Sequence, residues 1–280
     1  MTLNDIYHAT DPVALSLGPL QIRWYGLAYV AGFICAFLVI AKLSQRWKIR
    51  IDDDAFFTVV FCVIFGVILG GRLGYVLVYG DGYYLQHPEK ILAFNEGGMS
   101  FHGGLVGVII GGVIAAKITK IPFLTLADMG VVGVPIGLFF GRCANFINGE
   151  LWGAPTDMPW GVVFGGAAGT MPRHPSQLYE ALLEGVVLFI ILFALSRKTP
   201  ARPRGTFFGT FLLFYGLFRF TIEFIRQPDA QIGYLLGTQW FTMGQALSIP
   251  LMVAGVVFLI YAWKTKKPQM GLPDSEISQP

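Results

Sequence analysis

The sequence predicts an all-α, polytopic membrane protein with about seven transmembrane helices and a small extracytoplasmic cap. Three observations carry this. Of 280 residues, 54% are hydrophobic and only 13% charged, with a mean hydropathy of +0.61, where a soluble domain carries roughly 25% charged residues. Seven apolar segments, 24–43, 56–79, 101–116, 124–141, 176–196, 206–225 and 241–263, reach or approach the ~20 residues a spanning helix needs. The basic residues alternate between the connections: Lys42, Arg46, Lys48, Arg50, Lys117, Lys120, Arg197, Lys198, Arg202, Arg204, Lys264, Lys266 and Lys267 fall on one side, and Arg23, Lys90, Arg173 and Arg226 on the other. The positive-inside rule then places the N-terminus outside and the C-terminus in the cytoplasm.

Taken in order, residues 1–23 contain Asp5 and Asp11 and lack the apolar core of a cleavable signal, so the first span is expected to stay as an anchor. The third span is short and is helped by tilt. Gly66, Gly70 and Gly74 in the second span, and Gly103, Gly107 and Gly111 in the third, recur every four residues. That spacing predicts a close helix pair. Three stretches face outward: 80–100, 143–173 and 227–239. The middle one is rich in Gly, Pro and Trp and is expected to fold as the cap. The domain expectation is one transmembrane domain over 1–267, with the cap inserted at 143–173 and a cytoplasmic tail at 268–280. Trp24, Trp152, Trp160 and Trp240 read as interfacial belt residues.

Cys35, Cys62 and Cys143 are odd in number and without metal-site spacing, so they read as small buried hydrophobes. No metal and no cofactor is expected. A net charge of +3 gives no case for nucleic acid.

Charges inside apolar runs are the informative ones, because they must face the bundle or a wet cavity. Arg219, Glu223 and Arg226 are spaced i, i+4, i+7 and share a helix face. Gln177, Glu180 and Glu184 have a similar spacing, and Arg72 lies in the outer part of the second span. For Arg72, Glu180 and Glu184 structural pairing and function stand level. For Arg142 and Arg219 function is favoured, since two arginines at one depth form a phosphate clamp. Arg226 also reads as an interfacial residue with its head in water. His102 alone reads as an ordinary capping or interfacial histidine.

The stretch Gly141-Arg142-Cys143-Ala144-Asn145-Phe146-Ile147-Asn148-Gly149-Glu150-Leu151-Trp152-Gly153 follows the apolar run that ends at Phe140, so Arg142 is expected at the helix end. An arginine fork, two amides, a carboxylate and glycines at headgroup depth suit an anionic lipid headgroup. This stretch resembles the signature of the bacterial prolipoprotein diacylglyceryl transferases, G-R-x-[G/A]-N-F-x-N-x-E-x-x-G. Phe101-His102-Gly103-Gly104, His174-Pro175-Ser176-Gln177-Leu178-Tyr179-Glu180, and Arg219 through Glu223 to Arg226-Gln227-Pro228-Asp229 are similar to the same family, in its order, over nearly the whole chain.

The resemblance implies transfer of the sn-1,2-diacylglyceryl group of phosphatidylglycerol to the lipobox cysteine thiol of a prolipoprotein signal peptide, with release of glycerol 1-phosphate. The implied location is the bacterial inner membrane, with the site toward its outer face and membrane lipids as surroundings. A thioether requires attack at the glycerol carbon, so the departing phosphate gains charge. Arg142 and Arg219 would stabilise it, with Glu150 and Glu223 orienting them. Tyr25, Gly103, Gly104, Asn145, Asn148, Gly153 and Arg226 would line the substrate. The Gly pair beside His102 and the resemblance make this histidine the candidate for the thiol proton. An arginine pair that lowers the thiol's pKa is the alternative. A transporter and a non-catalytic lipid-binding scaffold are the competing classes. The absence of an internal repeat argues against the first, and the acid–base set against the second.

Overall fold

The computed structural model describes residues 2–18, 20–80, 82–93, 97–228 and 233–272. Asp229 of the fourth family-like stretch, and the tail from residue 273, lie outside them. The chain forms two compact units: Met1–Leu43 with Asp128–Pro268, and Ser44–Ala127 with Gln269–Pro280.

Six described helices are long and apolar enough to cross a membrane, in keeping with the predicted class. They are α2 (Trp24–Trp47), α3 (Asp53–Tyr79), α5 (Phe101–Thr119), α6 (Phe123–Ile147), a helix over Ser176–Ser196, and α10 (Met243–Thr265). The helix over Ser176–Ser196 consists of α7 (Ser176–Glu180), a wide π-helical stretch Ala181–Val187, and α8 (Leu188–Ser196). The seventh expected span, 206–225, is shorter than predicted. Helix α9 runs from Thr206 to Ile222, 17 residues. Its end is set by polar residues: Glu223 turns toward ion-pair partners, and Ile225 and Arg226 leave the helix to pair with the backbone of Gly153 and Ala154. Large apolar side chains such as Phe33, Leu77 and Trp263 are 70%, 82% and 73% exposed, as a lipid-facing surface requires.

In the unit holding residues 44–127, α3 starts on an Asp52 cap whose Oδ1 accepts from Ala55 N at 2.8 Å. It packs on α5 through the glycines. A Cβ on Gly70 would stand 2.5 Å from Gly103 O, and one on Gly74 2.6 Å from Gly103 Cα. Only glycine permits backbones this close. The short helix α4 (Tyr83–Gln86) lies in the following loop. Arg72, 2% exposed, ties that loop down: it donates to the carbonyls of Lys90 at 2.7 Å, Ile91 at 2.8 Å and Gly98 at 3.1 Å, and to that of Gly97.

In the other unit, Asp128 of α6 is fully buried. Its carboxylate accepts from Gly205 N and Phe208 N, both at 2.7 Å, which fixes the start of α9. The chain begins with α1 (Leu3–Ala9), closed by a Thr2–Asp5 capping box, and a hairpin of β1 (Val13–Leu17) and β2 (Leu20–Arg23). Helix α1 docks on the cap. Phe146, Val162, Phe164 and Ala168 form a small core covered by Leu3, Tyr7, Trp152 and Leu178. Asn4 Oδ1 accepts from Val163 N at 2.9 Å.

Candidate active site

Arg142 does not lie at the end of its helix. Helix α6 continues to Ile147, so Arg142 and Asn145 sit on its last two turns. The helix stops by a Schellman turn: Gly149 N donates to Phe146 O and Glu150 N to Asn145 O, both at 3.0 Å, with Gly149 at φ +67°. A left-handed residue at that place is what the motif needs, and glycine adopts it without strain. The signature therefore encodes a capped helix end. The turn carries Glu150 back over it, where its oxygens accept from Asn145 Nδ2 at 3.2 Å and Asn148 Nδ2 at 3.3 Å. Among the described residues those amides, and not an arginine, are the partners of Glu150.

The arginines are met by other carboxylates. Arg142 Nε lies 3.0 Å from Glu180 Oε2, and its Nη2 lies 3.7 Å from Glu184 Oε2. Arg219 pairs with Glu180, and with Glu223 Oε1 at 2.5 Å. Arg226 Nη1 lies 3.1 Å from Glu180 Oε1. Three arginines from two helices and a turn thus converge on Glu180, at the end of α7. Glu180 and Glu184 are fully buried and Glu223 is 5% exposed, while the arginine side chains keep 11–17%. Buried carboxylates this close to cations are held by charge.

Glu223 has a second anchor. Thr242 Oγ1, the cap of α10, donates to its Oε2 at 2.6 Å, so the carboxylate faces a helix N-terminus and its favourable dipole. Tyr215, one helical turn before Arg219, belongs to the same charge field: Glu184, Arg219, Arg142 and Glu180 all act on it. The sequence reading missed Tyr215 altogether and left Glu180 and Glu184 undecided. Their signals were present, as the i−4 position to Arg219 and as carboxylates in an apolar helix.

The cap ends against this cluster. Gly153 N donates to His174 O and Ala154 N to Ile225 O, both at 2.9 Å. A Cβ on Gly153 would stand 2.7 Å from both Ile225 O and His174 Cβ, so the signature's last glycine is demanded by packing. Arg173 spans the join, donating to Ala168 O at 2.8 Å, Gly153 O at 3.3 Å and Gln227 Oε1 at 3.2 Å. Trp160 Nε1 donates to Tyr179 Oη at 2.7 Å, and Tyr179 Oη lies 3.2 Å from His174 Nδ1. Burial pushes the His174 imidazole below the usual histidine range.

The structure therefore brings together Arg142, Arg219, Glu223 and Arg226, with Asn145, Asn148, Glu150 and Gly153 on the adjoining turn. Tyr25, half-buried, is the second residue of α2 in the same unit. His102, Gly103 and Gly104 belong to the other unit. They form the first turn of α5, where Ser100 Oγ accepts from Gly103 N at 3.2 Å, and His102 is exposed.

A multi-span helical protein with a buried, charge-paired arginine–carboxylate site and a folded cap is the class these features define. Within it, the chain belongs to the prolipoprotein diacylglyceryl transferase family, whose model matches residues 12–261. It is similar to the phosphatidylglycerol–prolipoprotein diacylglyceryl transferase of Geobacter sulfurreducens, 52% identical over 256 residues that cover 91% of this chain and 96% of that protein. Its counterpart of the same name in Rhodopseudomonas palustris is 46% identical over 275 residues, 95% of each chain. The one in Oleidesulfovibrio alaskensis is 51% identical over 265 residues, 93% of this chain and 96% of that protein.

Proposed function

We propose that the arginine–carboxylate cluster is where this chain, a phosphatidylglycerol–prolipoprotein diacylglyceryl transferase, holds the phosphate of its lipid substrate. The observation that carries the reading is that Arg142 and Arg219, from two helices, share Glu180 without spending all their donors. The ion pairs of Arg142 use Nε and Nη2, and those of Arg219 use Nη1 and Nη2. A guanidinium has five N–H groups, so each keeps donors for a phosphate oxygen while a buried carboxylate fixes its aim.

The chemistry follows from the bonds. The thiolate of the prolipoprotein's lipobox cysteine attacks the glycerol carbon, the C–O bond to phosphate breaks, and glycerol 1-phosphate departs with added charge. Arginines held at low dielectric stabilise that charge more in the transition state than in the diester. Glu223 and Glu180 orient them. Asn145, Asn148, Gly153, Arg226 and Tyr25 line the headgroup, with Glu150 holding the two amides; for Gly103 and Gly104 that role rests on the family resemblance alone. The family resemblance alone assigns the thiol proton to His102, and an arginine pair that lowers the thiol's pKa is the alternative.

The same reading places the site toward the outer face of the bacterial cytoplasmic membrane. The N-terminus is extracytoplasmic and the C-terminus cytoplasmic, on the strength of the basic-residue bias.

Purified protein given phosphatidylglycerol and a lipobox peptide tests the activity. Glycerol phosphate should be released only when the peptide carries its cysteine. Arg142→Lys and Arg219→Lys should each lose most of the turnover while inserting normally, because Lys cannot make a forked contact. Near-normal turnover by either variant removes that arginine from the clamp.

A further inference from the structure

A count of charge in the cluster raises a difficulty for any anion that enters it. Arg142, Arg219 and Arg226 are matched by Glu180, Glu184 and Glu223. If all six are ionised, the site has no net positive charge to offer. A phosphodiester brought in carries one negative charge, and in a buried site an uncompensated charge is costly. Either a carboxylate leaves or one gains a proton.

The three carboxylates are not equally supported. Glu180 has ion pairs at 3.0 and 3.1 Å and a closer one to Arg219. Glu223 has Arg219 at 2.5 Å and the Thr242 hydroxyl at 2.6 Å. Glu184 is fully buried in the π-helical stretch. Neither of its oxygens accepts a hydrogen bond from a described residue, and its ion pair with Arg142 is long, at 3.7 Å. The groups whose charge bears on it are Glu180 on its own helix, Arg142 on α6, and Arg219, Arg226 and Tyr215 from α9 and the turn after it. A phosphate that takes up Arg142 would remove the cation that, among the described residues, Glu184 is paired with.

We infer that Glu184 takes up a proton when a phosphate anion enters the cluster, so that headgroup binding and neutralisation of Glu184 are one linked event. The proton comes from solvent and ends on a carboxylate oxygen, and no bond to the lipid changes. Glu184 is then a positioning residue: it keeps the empty cluster neutral and releases Arg142 to the substrate. The inference rests on the phosphate-clamp reading above.

Linkage fixes the sign. If the complex binds one more proton than the free protein, affinity for the anion weakens by about tenfold per pH unit across the linked range. Titration of the purified protein with short-chain phosphatidylglycerol in two buffers of different ionisation enthalpy reads the protons taken up per lipid. An infrared difference spectrum should gain a protonated-carboxyl band. Wild type should take up close to one proton per lipid. Glu184→Gln, which mimics the protonated side chain, should bind the lipid with no uptake, no new band and a flat pH dependence. Lipid binding by wild type without proton uptake overturns the inference and needs no variant. Uptake that survives in a folded Glu184→Gln protein assigns the proton elsewhere and overturns it equally. Unchanged lipid binding by Arg142→Ala and Arg219→Ala instead brings down the clamp, a separate outcome.

Discussion

Glu180 receives three arginines, so its loss should cost more than the loss of either neighbour. Glu180→Gln leaves cations in a buried site without their shared partner, a change that typically costs about 3–5 kcal/mol. The expected result is a clear drop in melting temperature together with lost turnover. Glu223→Gln keeps a partner for Thr242 and should lower the melting temperature less. His174 offers a pH test. Burial disfavours its charged ring, and its Nδ1 lies 3.2 Å from Tyr179 Oη. Its folded pKa is depressed, so in the window below the ordinary value of about 6.5 the unfolded chain binds more protons than the folded one. The stabilisation is present above that window and lost as pH falls through it. Melting curves between pH 7 and 5 should show a steeper fall for wild type than for His174→Gln. The arginines of the site were legible because a charge in an apolar run stands out. Their partners were not, because spacing along one helix names a face and says nothing of what another helix brings to it. Glu150 is the instructive case: it follows Arg142 by eight residues, yet the left-handed turn at Gly149 aims it at Asn145 and Asn148.

At the scale of elements, the glycine ladder between α3 and α5 makes the sharpest claim. A Cβ on Gly107 would run into the backbone of Gly66, while one on the neighbouring Gly104 would meet Val67 O at an ordinary 3.7 Å. Gly107→Val should lower the melting temperature markedly and Gly104→Val little, and equal effects would mean the helix pair tolerates separation. This contact could be read from sequence because a period of four small residues has few other uses in lipid. Helix ends could not. The expected end of α6 at the first charge was wrong because Arg142 and Asn145 find partners while still helical. The expected length of α9 was wrong because residues 223–226 pair with the cap instead of continuing the helix.

For the whole molecule, the orientation proposed from the basic residues has a direct readout. In a protein with Cys35, Cys62 and Cys143 changed to Ala, a membrane-impermeant thiol reagent should label Asp157→Cys from outside and leave Lys266→Cys untouched. The reverse pattern would invert the site. The cysteine-free background should itself retain substantial turnover, since the attacking thiol belongs to the substrate. Another whole-chain consequence follows from the aromatic contacts of helix α1. Tyr7 packs edge-on against Phe146 and Phe164, and 157 residues separate it from the second of these. At the roughly 5–20 residues per second of ribosomal synthesis, Tyr7 waits about 8–30 s before Phe164 exists. Four of the long apolar helices must be made in that interval. The first residues to leave the ribosome thus remain without their partners until the middle of the chain has been synthesised, and α1 can dock only once the cap has been made.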